Sequence, residues 1–266
     1  MTIARQELLE QLGFRFGING PHAARTMMLE DLRLLMMHTP LEATRADYAC
    51  AVIESNVLGK ATRKARQLAL RHLTTLYALD LTNPIFRAMR RLWSSNADAQ
   101  PLLALAVALA RDPLLRGTQP FILGQAAGAP VPRAAVEVLL SKAQPDRFSP
   151  ASLKSFAQNV AGTWTSAGLL QGRVRKSRSM AQPHPESMAL LLFLGYLEGR
   201  TGQRLFSSEW AALMDSSVDE LESLTSSASN RGLLVFMNAG GVTEVRFPGY
   251  LTTDEERIRQ EISHVV

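Results

Sequence analysis

The chain has 266 residues, of which 46% are hydrophobic and 6% aromatic, with a net charge of +5. That apolar content supports a packed core and argues against wholesale disorder, and the Leu- and Ala-rich, aromatic-poor mixture favours helices over strands. The longest apolar runs, 102–110 and 188–194, fall well short of the ~20 residues that span a bilayer.

In chain order, residues 1–12 read as a short amphipathic helix ending near Gly13, and 14–21 as a loop. A helical pattern over 23–37 places Met28, Leu32, Leu35 and Met36 on one side, and Pro40 ends it. Another helix is expected over 44–55. Asn56-Val57-Leu58-Gly59-Lys60 is a break, followed by a helix over 60–79. Asn83 is a cap and Pro84 a first helical residue for a helix through Trp93. The all-apolar run 101–110 is the expected central buried helix. The Gly- and Pro-rich stretch 117–132 reads as a loop or linker, and 133–142 as a helix.

Ser149-Pro150 starts a helix that runs to about Ala167 and stops at Gly168. Residues 169–180 are basic and extended. Helices follow over 183–197, from Ser207 or Ser208 to Met214, and over 218–230. The β-like runs 233–237 and 242–247 flank Asn238-Ala239-Gly240-Gly241, a hairpin turn. Residues 252–266 form a short charged helix or a frayed tail. The expected fold is mainly α. A multi-helix basic domain spans 1–116, a linker 117–132, and a second helical domain 133–266 with winged-helix-like elements, a small β-hairpin and an acidic tail.

Charge is unevenly placed. Residues 1–205 hold 25 Lys and Arg against 14 Asp and Glu, whereas 206–266 hold 4 against 10. A basic body suits a polyanion. The acidic tail can dock on that body, bind another protein or stand in solvent. Arg outnumbers Lys 24 to 5, and Arg forks onto phosphate and stacks on bases. A GC-rich coding sequence raises Arg as well, so the positions of the arginines have to decide.

The helix over 60–79 carries the clearest signal. At 100° per residue, Lys60, Arg63, Lys64, Gln67 and Arg71 fall within roughly one quarter to one third of the circumference. Ala65, Leu68, Ala69, His72, Leu73 and Leu76 lie opposite, and no acidic residue interrupts the segment. A row of cations with an apolar back matches phosphates spaced along a duplex; a merely solvated face is the alternative. Arg87, Arg90 and Arg91 nearby favour binding. The second signal is the helix after Ser149 followed by Gly172-Arg173-Val174-Arg175-Lys176-Ser177-Arg178. This is the order of a recognition helix and a basic wing. A regular strand would turn Arg173 and Arg175 to one side and Lys176 and Arg178 to the other, with Lys154 extending the surface; an exposed basic loop is the alternative. The helix 218–230 and its hairpin repeat this order, but Asp219, Glu220 and Glu222 would repel phosphate, which favours a structural or protein-binding role.

No catalytic set converges. Glu54 occupies the upstream glycine position that a phosphate-binding loop ending at Gly59-Lys60 would need. There is no nucleophile elbow or paired-His metal motif, and the lone Cys50 has no zinc-type neighbours. Pro145-Asp146 lacks the Glu-x-Lys of a nuclease. The five His are scattered, and His72 lies on the core side of its helix. Arg111 and Asp112 suit closure of a buried helix, with Pro113 as its stop. The first residues lack a signal-like apolar run, so a cytoplasmic, membrane-free protein without cofactor or metal is expected.

The segment Asn56–Lys60, the basic helix after it and Leu76-Tyr77-Ala78-Leu79-Asp80 resemble the BrxA proteins of BREX phage-defence systems. Ala110-Arg111-Asp112 after an apolar helix, and a helix closed by Ala167-Gly168-Leu169-Leu170, fit the same family. The resemblance covers roughly residues 10–215. It implies a largely helical, non-catalytic protein that binds double-stranded DNA and works beside a methyltransferase, an ATPase and a phosphatase-like protein. The family's DNA-contacting helix corresponds to Lys60, Arg63, Lys64 and Arg71. The segment after about Leu213 exceeds the family core, which leaves room for a divergent branch. The other readings are a protein-interaction scaffold and a helical RNA-binding protein of antitermination type.

Overall fold

The computed structural model describes residues 2–17, 20–143 and 145–264. The fold is mainly α, with two small antiparallel β-hairpins. The helices of the first half are α1 (Ile3–Gln11), α2 (Leu29–Met37), α3 (Arg45–Ile53), α4 (Arg63–Tyr77), α5 (Pro84–Trp93) and α6 (Gln100–Arg111). Short helices α7 (Pro113–Arg116) and α8 (Gln119–Leu123) lead to α9 (Arg133–Ala143) and α10 (Pro150–Ser166). A hairpin of β1 (Leu170–Gln171) and β2 (Ser177–Arg178) precedes α11 (Pro185–Leu197) and α12 (Val218–Asn230). The second hairpin, β3 (Val235–Ala239) and β4 (Val242–Arg246), turns at Gly240-Gly241 and is followed by α13 (Thr253–His264).

Local chemistry sets most of these boundaries. Side-chain oxygens cap helix starts: Asn83 accepts from the Phe86 N–H at 3.0 Å, and Ser149 from the Ser152 N–H at 3.2 Å. Thr44 with Asp47, and Ser217 with Glu220, form reciprocal capping boxes.

Four boundaries depart from the sequence expectation. The helix expected from 23 begins at Leu29, because 21–23 form a 3-10 turn and Met28 takes a left-handed φ of 52°. The helix expected from Lys60 begins at Arg63, capped by Thr62. The helix expected from Ser207 or Ser208 shrinks to a 3-10 turn at Ala211–Met214, although Ser208 Oγ still accepts the Ala211 N–H at 3.1 Å. The stretch 117–132 contains α8 and buries Thr118, Gln119, Ile122 and Val131, so it is part of the packed structure rather than a linker.

The two longest apolar runs of the sequence become α6 and α11, which pack on each other. Every residue from Leu102 to Ala110 is at most 3% exposed, and Met188 to Leu194 are wholly buried. Burial of one such leucine is worth about 1.5–3 kcal/mol. Helices α4, α5 and α10 also surround α6, while α5 and α12 flank α11. One apolar cluster therefore runs from Leu9 to Ile262. The expected boundary between 1–116 and 133–266 does not divide it.

A polar chain crosses this core. The His22 ring nitrogens lie 2.7 Å from Asp112 Oδ2 and 2.7 Å from Thr163 Oγ1. Asp112 also accepts the His22 backbone N–H at 2.8 Å and, through Oδ1, those of Leu114 and Leu115. Thr163 accepts the Met27 N–H at 2.8 Å. All three side chains are fully buried. Gly20 is required here, since a Cβ on it would sit 1.7 Å from the Asp112 carboxylate. The network ties the 20–28 segment to the end of α6 and to α10.

Burial pushes the Asp112 pKa up, but the hydrogen bonds and charge of His22 outweigh it, and the net pKa is lowered. A lowered carboxylate pKa contributes stability above the unfolded value of about 3.9 and loses it as pH falls through the folded value. Asp112→Ala should lower unfolding free energy at neutral pH by about 3 kcal/mol, since it strands several buried donors. Urea melts should show that gap narrowing below about pH 4; a gap independent of pH would refute the assignment.

Candidate nucleic-acid interface

The break before α4 moves Lys60 off the helix. Asn56 takes a left-handed φ of 49°, and its Oδ1 receives the Lys60 N–H at 2.9 Å. The Lys60 ammonium pairs with Asp31 at 2.7 Å, and Arg63 pairs with Glu54 at 2.9 Å. The expected four-cation row therefore has two members already engaged with carboxylates. Lys64, Gln67 and Arg71 remain exposed on one face. Ala69, Leu73 and Leu76 form the buried back, while Ala65 and Leu68 line an open hollow of 660 Å³.

The structure brings Arg25 to this face. Arg25 is exposed and lines the same hollow as Lys60. Burial, then the charges of Arg25 and Arg71, lower the His72 pKa, so both positive charges are felt at that ring. Arg25 belongs to an irregular segment, where helical periodicity assigns no face.

The arginines of α5 serve other ends. Arg90 is 3% exposed and donates to the carbonyls of Thr39 at 2.8 Å and Met36 at 3.4 Å. Arg87 donates to Leu81 O at 2.7 Å and Tyr250 O at 3.0 Å, and pairs with Glu255 of α13. Arg91 lies 4.8 Å over the Tyr250 ring and donates to Pro248 O at 3.3 Å. Arg90 is thus withdrawn from any phosphate, and Arg87 fastens the acidic C-terminal helix to the basic body. Arg91 keeps an exposed edge.

The second region has the element order of a winged helix-turn-helix. Residues 128–131 run antiparallel to β2, with Gly128 N–H donating to Arg178 O at 2.9 Å and Val131 N–H to Lys176 O at 2.8 Å. Helices α9 and α10 pack together, and β1–β2 follows α10 directly. The basic segment is not the regular strand expected. The chain turns at Gly172, where φ is +97° and a Cβ would lie 2.1 Å from Arg175 O. Arg173, Val174 and Arg175 therefore form an exposed tip, with Val174 89% exposed.

Arg178 turns inward. It pairs opposite Leu170 in the hairpin and is 2% exposed. Its guanidinium reaches both Asp215 oxygens at 2.6 Å, and it also donates to Ile122 O and Leu169 O. It anchors the wing and leaves phosphate binding to the tip. Lys176 is partly covered and donates to Gly172 O.

Helix α10 presents Lys154, Ser155 and Gln158 to solvent, a spacing that puts them on one face. A groove of 680 Å³ lies between Gln158, Ala161 and Gly162 of α10 and the 173–176 tip. Thr26 packs over Gly162 and Ser166 lines the first hollow, so the two concavities flank α10. Arg25, Lys64, Arg71, Lys154, Arg173 and Arg175 form no ion pair among the described residues.

The His22–Asp112–Thr163 chain has the spacing of a nucleophile, base and acid, but none of its members meets solvent. Among the described residues, no group of three or more His, Cys, Asp or Glu is placed to hold a metal, and no helix is long and apolar enough to cross a membrane. No family model matches the chain, and neither does any curated protein.

Removal of the Asp215 carboxylate should leave Arg178 buried and uncompensated. Asp215→Ala is expected to cost about 3 kcal/mol and to speed amide exchange across 170–178. Exchange confined to the 215 region would show that the ion pair does not hold the wing.

Proposed function

We propose that the chain is a non-enzymatic protein that binds double-stranded DNA, chiefly through backbone phosphates. The observation that carries this reading is the basic wing tip beside the exposed face of α10, with Arg25 lining a hollow that Ser166 of the same helix and Ala65 and Leu68 of α4 also line, and with Lys64 and Arg71 exposed on α4. An α-helix fits the major groove, and a wing beside it meets backbone phosphate. Cations without intramolecular carboxylates are the ones free to displace counterions from DNA. The resemblance to BrxA proteins supports a place in a BREX-type phage-defence system, in the cytoplasm, beside a methyltransferase, an ATPase and a phosphatase-like protein. A methyltransferase gene and a large ATPase gene adjoining this one would support that setting.

The second winged arrangement favours protein binding. Its helix α12 exposes Asp219 and Glu220, and its hairpin exposes Met237 and Val242. That surface suits a partner protein of the same complex rather than phosphate.

Fluorescence anisotropy on a labelled duplex across about 50–200 mM salt tests the DNA reading. Reversal of Arg173, Arg175 and Lys176 to Glu should weaken binding by at least about tenfold. The slope of log K against log salt should become shallower by about 0.9 for each phosphate that the variant no longer neutralises. Reversal of Arg25, Lys64 and Arg71 should act likewise, whereas Arg90→Met should lower thermal stability with the slope unchanged. Wild-type protein that does not bind at low salt, or reversal variants that bind as wild type, would sink the proposal.

A further inference from the structure

A third concavity lies at the far end of α4. It encloses 330 Å³ and is lined by Arg15, Arg45 and Arg111, with Asp80, Thr82 and Asn83 among its other polar walls. Its arginines differ in how they are held. Arg111 is 8% exposed, with Nε on Thr75 O at 3.3 Å and Nη1 on Gly13 O at 2.6 Å. Its remaining terminal nitrogen, Nη2, has no partner among the described residues. Arg15 is exposed, and its side chain forms no ion pair among those residues. Arg45 pairs with Asp80 at 2.7 Å.

One carboxylate thus faces three guanidinium groups. Asp80 is itself occupied, since it also accepts the Thr82 N–H at 2.9 Å. Burial first, then repulsion from Arg15 and Arg45, lowers the Arg111 pKa to about 10. Like charges gathered around an open polar hollow form a poor arrangement by themselves, and an entering anion relieves it. Guanidinium forks match the tetrahedral edges of phosphate and hold it in pairs of hydrogen bonds.

We propose that the hollow formed by Arg15, Arg45 and Arg111 binds a phosphate group. The site is distinct from the wing and from the Lys64–Arg71 face, and it does not rest on the DNA reading. The phosphate belongs either to a small phosphate monoester or to a duplex backbone.

Inorganic phosphate is the probe. Thermal melts and calorimetric titrations of the full chain compare phosphate with chloride at equal ionic strength. Phosphate at about 100 times its Kd should raise Tm by about 5 °C, and Arg15→Gln or Arg45→Gln should weaken it at least about tenfold. Arg257→Gln, on the exposed face of α13, should respond as wild type. Arg111 is left intact, because its bonds to backbone carbonyls hold the fold. No phosphate effect beyond that of chloride, or a phosphate effect in the Arg15 and Arg45 variants as large as in wild type, would overturn the proposal. Given the phosphate effect, the Arg15→Gln/Arg45→Gln double variant identifies the source. Weaker duplex binding assigns the hollow to the DNA backbone, and unchanged duplex binding assigns it to a small monoester. The phosphate readout contains no DNA, so either proposal can fail without the other.

Discussion

Helix α6 has no polar side between Leu102 and Ala110, so it is stable only when enclosed on every side. That requirement recruits helices from the whole chain: α4, α5, α10 and α11 all pack against it. Because α11 is equally apolar, the two helices join the halves of the chain into one core, and the Gly- and Pro-rich stretch between them becomes part of the packing. The candidate DNA-binding helix α10 is one of the walls. Its inner face, with Ala157, Val160, Ala161 and Trp164, is buried, while Lys154, Ser155 and Gln158 face solvent.

Enclosure also concentrates polar chemistry at the C-terminal end of α6. There the chain must leave the core, and Arg111 and Asp112 accompany it inward. Asp112 is satisfied by His22 and by the N–H groups of α7, and the resulting network positions Thr26 over α10. Among the described residues Arg111 has only carbonyl partners, and it shares its hollow with Arg15 and Arg45. The same structural demand thus yields one closed polar cluster and one open one. The open cluster has room for a ligand because no acidic residue beyond Asp80 lines it among the described residues.

Much of the architecture is legible in the sequence because it rests on local chemistry. Asn83-Pro84 and Ser149-Pro150 mark helix starts that the backbone then follows, and the all-apolar runs identify the core helices. Tertiary information is not legible in the same way. Lys60 leaves the expected row because Asn56 adopts a left-handed conformation, which a periodic pattern does not encode. Arg90 and Arg178 read as cations for phosphate, yet a guanidinium carries enough donors to be buried on carbonyls or on one carboxylate. His22, Asp112 and Thr163 meet across separations of 90 and 141 positions, and spacing rules for motifs do not reach that far. Arg25 lies in a segment without regular structure, so only its proximity to His72 and α10 draws attention to it.

The charge asymmetry of the chain takes on a different meaning once partners are assigned. The acidic C-terminal segment neutralises part of the basic body from within, through Arg87–Glu255 and Arg178–Asp215, and α13 is further fixed when Arg5 of α1 donates to Ile262 O. A net positive charge counts every arginine alike, whereas attraction to a polyanion depends on those without a carboxylate at hydrogen-bond distance and with water on at least one side. By that criterion Lys64, Arg71, Arg91, Lys154, Arg173, Arg175 and Lys176 remain of the dozen sequence candidates, and Arg15 and Arg25 join them. The internal pairs have a second effect. They oppose the repulsion that a chain with 25 basic residues in its first 205 would otherwise carry into its folded state. The remaining cations can then stay unpaired and solvent-facing without destabilising the core beneath them.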